Sequence, residues 1–162
     1  MFNKELVDAV RDKMIARKET LAVAESVTSG YLQAAISNAK DAKDFFQGGI
    51  TAYNLGQKYR HLLVDPIHAQ ACNCVSEQVA ESMALHVCEL FKSDWGVGVC
   101  GYAAAGKESG GEMYAYFAIS YDNKIINSGR VESTKKEGEE TQIYFTEILL
   151  QQLYAYLLQN PD

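Results

Sequence analysis

Basic charge is in short supply in this sequence. Fifteen lysines and arginines stand against 21 aspartates and glutamates, a net charge of −6 in 162 residues. A protein built to hold a phosphate backbone or an anionic membrane surface needs the opposite balance. Neither nucleic acid nor membrane is therefore expected as a partner, and the basic cluster Lys58-Tyr-Arg-His61 is too short to track a nucleic acid. Long apolar runs are missing as well: none approaches the roughly 20 residues that cross a bilayer. The opening Met1-Phe-Asn-Lys-Glu-Leu6 is charged and has no apolar signal core, which sets a cytoplasmic location as the expectation. Cysteine is sparse. The four present, Cys72, Cys74, Cys88 and Cys100, form no CxxC pair and are too few for a disulfide scaffold. Cys72 and Cys74 lie near His68, but a fourth ligand at workable spacing is lacking, so ordinary thiols and no metal are expected. Repeats, linkers and low-complexity segments are absent too.

What remains is the composition of a soluble globular protein, 48% hydrophobic and 22% charged. The length suits one domain over residues 1–162 with a full apolar core. Apolar residues at Leu6, Val7, Val10, Met14 and Ile15 predict a helix over 3–17. A strand at 20–25, a helix at 29–38, a polar connection at 38–44, a strand at 45–53 and a helix at 54–63 follow. Gly48 and Gly49 mark a bulge or a close backbone approach in the second strand. Pro66 opens another helical turn, and Ser76 caps a long helix through about Phe91. Trp95-Gly-Val-Gly-Val-Cys100 is a small apolar strand suited to a sheet centre. After a loop at 101–111, strands at 113–121 and 125–132 form a hairpin across Asp122-Asn-Lys124. A long amphipathic helix over about 136–158 ends the chain, its start delayed by Gly138. This order predicts a three-layer α/β/α single domain with a mixed sheet, a parallel part plus an antiparallel hairpin. Loops at the carboxyl ends of the strands should hold the site.

Three such loops are polar or glycine-rich: 26–30, 53–58 and 101–111. In the first, Ala24-Glu-Ser-Val-Thr-Ser-Gly30 carries a strand into a helix. That exposes Ser26 at the sheet edge and aims free backbone N–H groups into the same space, unless Ser26 is simply a helix cap. A serine hydroxyl needs a partner to accept its proton. His61, His68 and His86 are poorly placed for a triad and read as ordinary core or surface histidines. A Ser–Lys pair is the remaining arrangement, with Lys58 as base and Tyr53 relaying the proton or holding the amine. Free lysine titrates near about 10.4, so a working Lys58 must be desolvated.

These segments together resemble the C-terminal domain of the CinA (competence- and damage-inducible) proteins, which also occurs alone as a nicotinamide-nucleotide amidohydrolase. Residues 24–30 are similar to the family's AES-C-T-G-G motif. Gly48-Gly-Ile-Thr-Ala-Tyr-Asn-Leu-Gly-Gln-Lys58 resembles G-x-V-x-Y-S-N-x-x-K, and Val75-Ser-Glu77 resembles V-S-E. The resemblance covers nearly the whole chain. It implies a serine hydrolase that converts nicotinamide mononucleotide to nicotinic acid mononucleotide plus ammonia, without metal or cofactor. Ser26, Tyr53 and Lys58 match the family's catalytic serine, tyrosine and lysine. Glu25, Thr28, Ser29, Gly30, Asn54, Gly101, Tyr102 and Ala104 become the candidate substrate-binding residues, with the N–H groups of 28–30 facing an oxyanion or a phosphate. Glu25 is assigned either to orienting the lysine or to a structural hydrogen bond.

The departures from the family pattern fall on the presumed substrate wall. Cys100-Gly-Tyr-Ala-Ala-Ala-Gly-Lys-Glu108 stands where the family has S-G-I-A-G-P-x-G-G, and Gly110-Gly-Glu-Met-Tyr-Ala115 replaces K-P-V-G-T-V. Thr28-Ser29-Gly30 replaces T-G-G, and Leu55 replaces asparagine. Tyr102 and Ala104 in place of smaller backbone are expected to reshape the nucleotide pocket. Three readings follow: an amidohydrolase of a nicotinamide nucleotide, an amidase of another small carboxamide, or an inactive nucleotide-binding or regulatory homologue. Ten tyrosines, six phenylalanines and an apolar last helix also set a homo-oligomer, a dimer or higher, as the expectation.

Overall fold

Side chains alternate in size as well as in direction along the two innermost strands, and this organises the molecule. The computed structural model describes residues 2–159. In β1 (Leu21–Glu25), Leu21 and Val23 face one way while Ala22 and Ala24 face the other. In β3 (Trp95–Tyr102), Trp95, Val97 and Val99 share the bulky face, leaving Gly96 and Gly98 on the small one. Period-two alternation puts each set on a single side of the sheet.

The bulky face lies under α1 (Lys4–Arg17), α2 (Tyr31–Ser37) and α6 (Glu139–Gln159), whose Val10, Met14, Leu32, Ile36, Phe145 and Leu149 complete one core. On the small face, α5 (Glu77–Phe91) sits almost on the strands. A Cβ at Gly96 would fall 2.2 Å from the Ala84 carbonyl oxygen, and one at Gly98 would fall 2.4 Å from that of Ala80. The short helices α3 (Leu55–Leu62) and α4 (Pro66–Ala71) flank α5 and bury Leu62 and Ala69 beside Val79 and Met83 in a second core.

Between these layers runs one five-stranded sheet in the order β2-β1-β3-β4-β5, completed by β2 (Phe46–Thr51), β4 (Tyr114–Tyr121) and β5 (Lys124–Glu132). β1 pairs parallel with β2 and β3, whereas β3, β4 and β5 run antiparallel in turn. The fold is thus the three-layer mixed α/β/α arrangement expected from the sequence, with the glycine-rich strand at its centre. The register of β1 on β2 slips between Leu21 and Ala22, skipping Gln47, so the expected irregularity lies beside Gly48. Gly48 has φ of 130°, and its Cα faces the Phe91 ring, 2.9 Å from where a Cβ would stand.

Local boundaries shift for physical reasons. The polar connection at 38–44 contains a 3-10 turn (Ala42–Asp44). Gly138, at φ 83°, precedes α6 and sets its start at Glu139. Pro66 occupies the first turn of α4, where its missing N–H costs nothing, and the Asp65 side chain accepts from the Ile67 N–H. Among the described residues, no helix is long and apolar enough to cross a membrane.

The close seat of α5 yields a stability prediction. In Gly98→Ala, the new methyl meets helix backbone that cannot rotate away, so the cost should be about 1–3 kcal/mol or more. Gly106→Ala, which places its methyl in open space, should change stability by less than about 0.5 kcal/mol. Urea denaturation of both variants checks the contrast.

Candidate functional site

β1 ends in the middle of the sheet edge, and its last residue is committed before the helix begins. Glu25 is 0% exposed. Its Oε1 accepts from the Thr28 hydroxyl at 2.6 Å and the Leu32 N–H at 2.8 Å, and its Oε2 accepts from the Gln33 N–H at 2.9 Å. A carboxylate therefore satisfies the first turn of α2 from the preceding strand. The helix does not start directly after Ser26. A turn over 26–30 intervenes, closed by Ser29 N–H to Ser26 O and Tyr31 N–H to Thr28 O, with Ser29 at φ 49° and Gly30 at φ 98°. Ser26 is not the cap of α2, because the cap position is Gly30. Its hydroxyl is left for another partner.

That partner comes from the neighbouring strand. After β2, Asn54 caps α3 by accepting from the Gln57 N–H at 3.0 Å. Lys58 then shares the inward face of α3 with Leu62. The position is one where an aliphatic residue would ordinarily be found, and Lys58 is only 1% exposed. Its Nζ donates to Ser26 Oγ at 2.9 Å and to the Ala52 carbonyl at 2.9 Å. Ser26 itself is 8% exposed.

The surroundings of this pair shift the amine toward its uncharged form. Burial pushes Lys58 below its ordinary value of 10.5, opposed only by attraction to Cys74 and Cys100 as thiolates. Those thiolates are themselves disfavoured. Burial raises Cys74 and drives Cys100 up to about 12, so both are neutral thiols near pH 7. No carboxylate pairs with Lys58 among the described residues, since the adjacent Glu25 is held by Thr28, Leu32 and Gln33. Two acceptors also leave one position unused on a nitrogen that, as an ammonium, would carry three donors.

Ser26 and Lys58 open into a cleft of about 680 Å³. Tyr53, Asn54, Gly101, Tyr102 and Ala104 line the same space, so seven of the residues singled out in the sequence converge there. Glu25, Thr28, Ser29 and Gly30, expected at the substrate, are not on this wall. Glu25 and Thr28 are instead bonded to each other beneath the turn. Tyr53 is 66% exposed and makes no hydrogen bond to Lys58 among the described residues, so it does not hold the amine in this structure. The histidines act elsewhere: His61 bonds Gln57, His68 bonds Ser76 and His86 bonds the Ser82 carbonyl. Among the described residues, no group of three or more His, Cys, Asp or Glu is placed to hold a metal ion.

Several wall residues were not anticipated. Asn73, left-handed at φ 53°, donates through Nδ2 to Tyr102 Oη and Glu108 Oε2, both at 3.0 Å. It ties the 101–111 loop to the turn after α4. Gln142 of α6 donates to the Val27 carbonyl at 2.9 Å, beside the serine. The Gly138 N–H donates to the Ala103 carbonyl at 2.8 Å. An asparagine between two cysteines in a short turn was a usable sign, because asparagine tolerates this backbone region. Gln142 had no sign, being one polar residue on a helix that carries many.

Known proteins share this fold. A family model for the CinA C-terminal domain matches residues 3–157. A CinA-like protein of Picosynechococcus is 38% identical over 112 residues, covering 69% of this chain and 27% of the relative. A CinA-like protein of Prochlorococcus marinus is 39% identical over 142 residues, covering 86% of this chain and 33% of the relative. The chain thus spans only about a quarter to a third of the length of these curated relatives. Among solved structures, a CinA superfamily protein from Klebsiella pneumoniae superposes with a TM-score of 0.91 at 25% identity, covering 97% of this chain and 98% of its own. The competence/damage inducible protein CihA from Agrobacterium tumefaciens shares the fold with a TM-score of 0.80 at 21% identity, covering 96% of this chain and 97% of its own. By the match over nearly its whole length, the chain belongs to the CinA C-terminal domain family.

Proposed function

We propose that this chain is a Ser–Lys amidohydrolase that cleaves the carboxamide of a nicotinamide nucleotide, or of a related small carboxamide, to the acid and ammonia. One observation carries the reading: a buried lysine amine without a carboxylate partner among the described residues lies 2.9 Å from a serine hydroxyl at the base of a cleft. In this reading Lys58 Nζ takes the Ser26 proton as Oγ attacks the carboxamide carbon. The tetrahedral oxyanion is assigned to the N–H of Val27, a residue of the cleft wall whose N–H finds no carbonyl among the described residues. Lys58 returns the proton to the amide nitrogen, the C–N bond breaks, and ammonia leaves an acyl-Ser26 ester. Water then attacks the ester with Lys58 again as base, releasing the carboxylic acid and restoring the serine. Tyr53, exposed at the mouth, is assigned to positioning the substrate. We further propose a cytoplasmic homo-oligomer, for which exposed Tyr59, Leu63 and Ile67 offer apolar surface.

Ammonia release from a panel of small carboxamides, nicotinamide mononucleotide included, tests the chemistry. Ser26→Ala should lower kcat/KM by roughly a thousandfold or more. Undiminished release in that variant removes Ser26 from the reaction, and ligand-induced thermal stabilisation without turnover favours an inactive nucleotide-binding homologue instead.

The state of Lys58 has its own signature in stability. A folded-state value below 10.5 means that the unfolded chain binds the extra proton between the two values, so stability rises with pH across that window. Lys58→Met removes this dependence. The stability of the native protein relative to Lys58→Met should therefore improve as pH climbs toward 10.5, as read by urea denaturation at several pH values. A flat difference would mean that Lys58 keeps its ordinary ionisation.

A further inference from the structure

A pocket for a phosphorylated ligand usually shows where the phosphate goes. Its negative charge is met by arginine or lysine, or by unpaired N–H groups at the start of a helix. Among the described residues, the charged side chains lining this cleft are Lys58 and Glu108. Lys58 lies at the base, bonded to Ser26 and Ala52 and biased toward its neutral form. It serves the carboxamide end.

The helix starts near the cleft are also spoken for. At α2 the Leu32 and Gln33 N–H groups already donate to the Glu25 carboxylate. That buried negative charge cancels the field an anion would seek. At α3 the Asn54 side chain takes the Gln57 N–H.

The wall itself carries a carboxylate, that of Glu108. Glu108 Oε2 accepts from Asn73 Nδ2, and the same amide donates to Tyr102 Oη, all within 3.0 Å. Asn73 thus sets a carboxylate and a tyrosine side by side in the cleft. A phosphate entering here meets repulsion from Glu108, and among the described lining residues Lys58 at the base is the one basic side chain. An N-ribosylated nicotinamide without phosphate is a cation, its charge spread over the pyridinium ring. The carboxylate attracts it, the faces of Tyr53 and Tyr102 suit a flat cation, and a ribose hydroxyl can donate to Glu108.

Resting on the amidohydrolase reading above, we infer that the preferred substrate is a phosphate-free pyridinium nucleoside carboxamide, with Glu108, held by Asn73, as the specificity-determining residue. The product is then the corresponding nicotinic acid nucleoside plus ammonia. A reaction that removes phosphate from the nucleotide, or one that ribosylates or salvages the free base, must supply this substrate.

The test compares nicotinamide mononucleotide with its dephosphorylated nucleoside in two independent ways. In the native enzyme, kcat/KM for ammonia release should favour the nucleoside by about tenfold or more at low salt, and the preference should shrink as ionic strength rises. In Ser26→Ala, calorimetric titration should give the tighter Kd for the nucleoside by a similar factor. Glu108→Gln should narrow both ratios, and Glu108→Lys should invert them. Equal or better use of the mononucleotide, tighter binding of it, or no binding of either ligand overturns the inference. If neither compound is hydrolysed, the proposed chemistry fails, and the calorimetric order still decides the specificity.

Discussion

The amine of Lys58 has been taken out of water and set against one hydroxyl and one carbonyl. Placing a lysine at 1% exposure is unfavourable for its charged form, and among the described residues no carboxylate pairs with it to restore that form. That penalty weakens the amine's hold on its proton. It also demands that three elements meet with little slack. β1 delivers Ser26, β2 delivers Ala52, and α3 delivers Lys58. The Ala52 N–H donates to the Glu25 carbonyl at 2.9 Å, extending the parallel pairing up to the site and fixing the two strand ends relative to each other.

The position of α3 depends in turn on α5, against which it packs. α5 is seated by what its strand neighbours lack: Gly96 and Gly98 leave room for helix backbone where any Cβ would collide. The opposite face of the sheet holds Trp95, Val97 and Phe117 and tolerates helices at ordinary distance. One sheet therefore has a close side and a distant side. The buried lysine is on the close one, where α3 can reach the end of β1. Glu25 plays a complementary part, because by capping α2 from the strand it leaves Ser26 without a structural duty.

The rest of the cleft is assembled from segments far apart in the chain. Asn73 grips the 101–111 loop, the Gly138 N–H holds Ala103, the Ala105 N–H donates to Glu137, and Gln142 holds the backbone of Val27. The loop where this chain departs most from its family's pattern is thus anchored by the turn after α4 on one side and by the start of α6 on the other. Its composition sets the charge of the wall while the base of the cleft keeps its serine and lysine.

Much of this was legible in the residues. Alternation and turn chemistry gave the order of helices and strands, and the small strand at 95–100 marked the sheet centre, because period and residue size are local properties. The pairing of Ser26 with Lys58 was suggested by residue chemistry and strengthened by motif likeness, but their 2.9 Å contact and the burial of the amine exist only once α3 has docked. The duty of Glu25 could not be read from its neighbours, since its partners are decided by a turn of left-handed residues at 29 and 30. Glu108 and Gln142 gave no sign, and Asn73 and Gly138 signalled only their local backbone, because their roles in the cleft arise from contacts across 29–115 residues of sequence separation. The chain by itself determined which elements form and which chemistry is available. Tertiary packing alone decided which polar groups lose water and which face one another, because desolvation and charge are properties of a place in the fold.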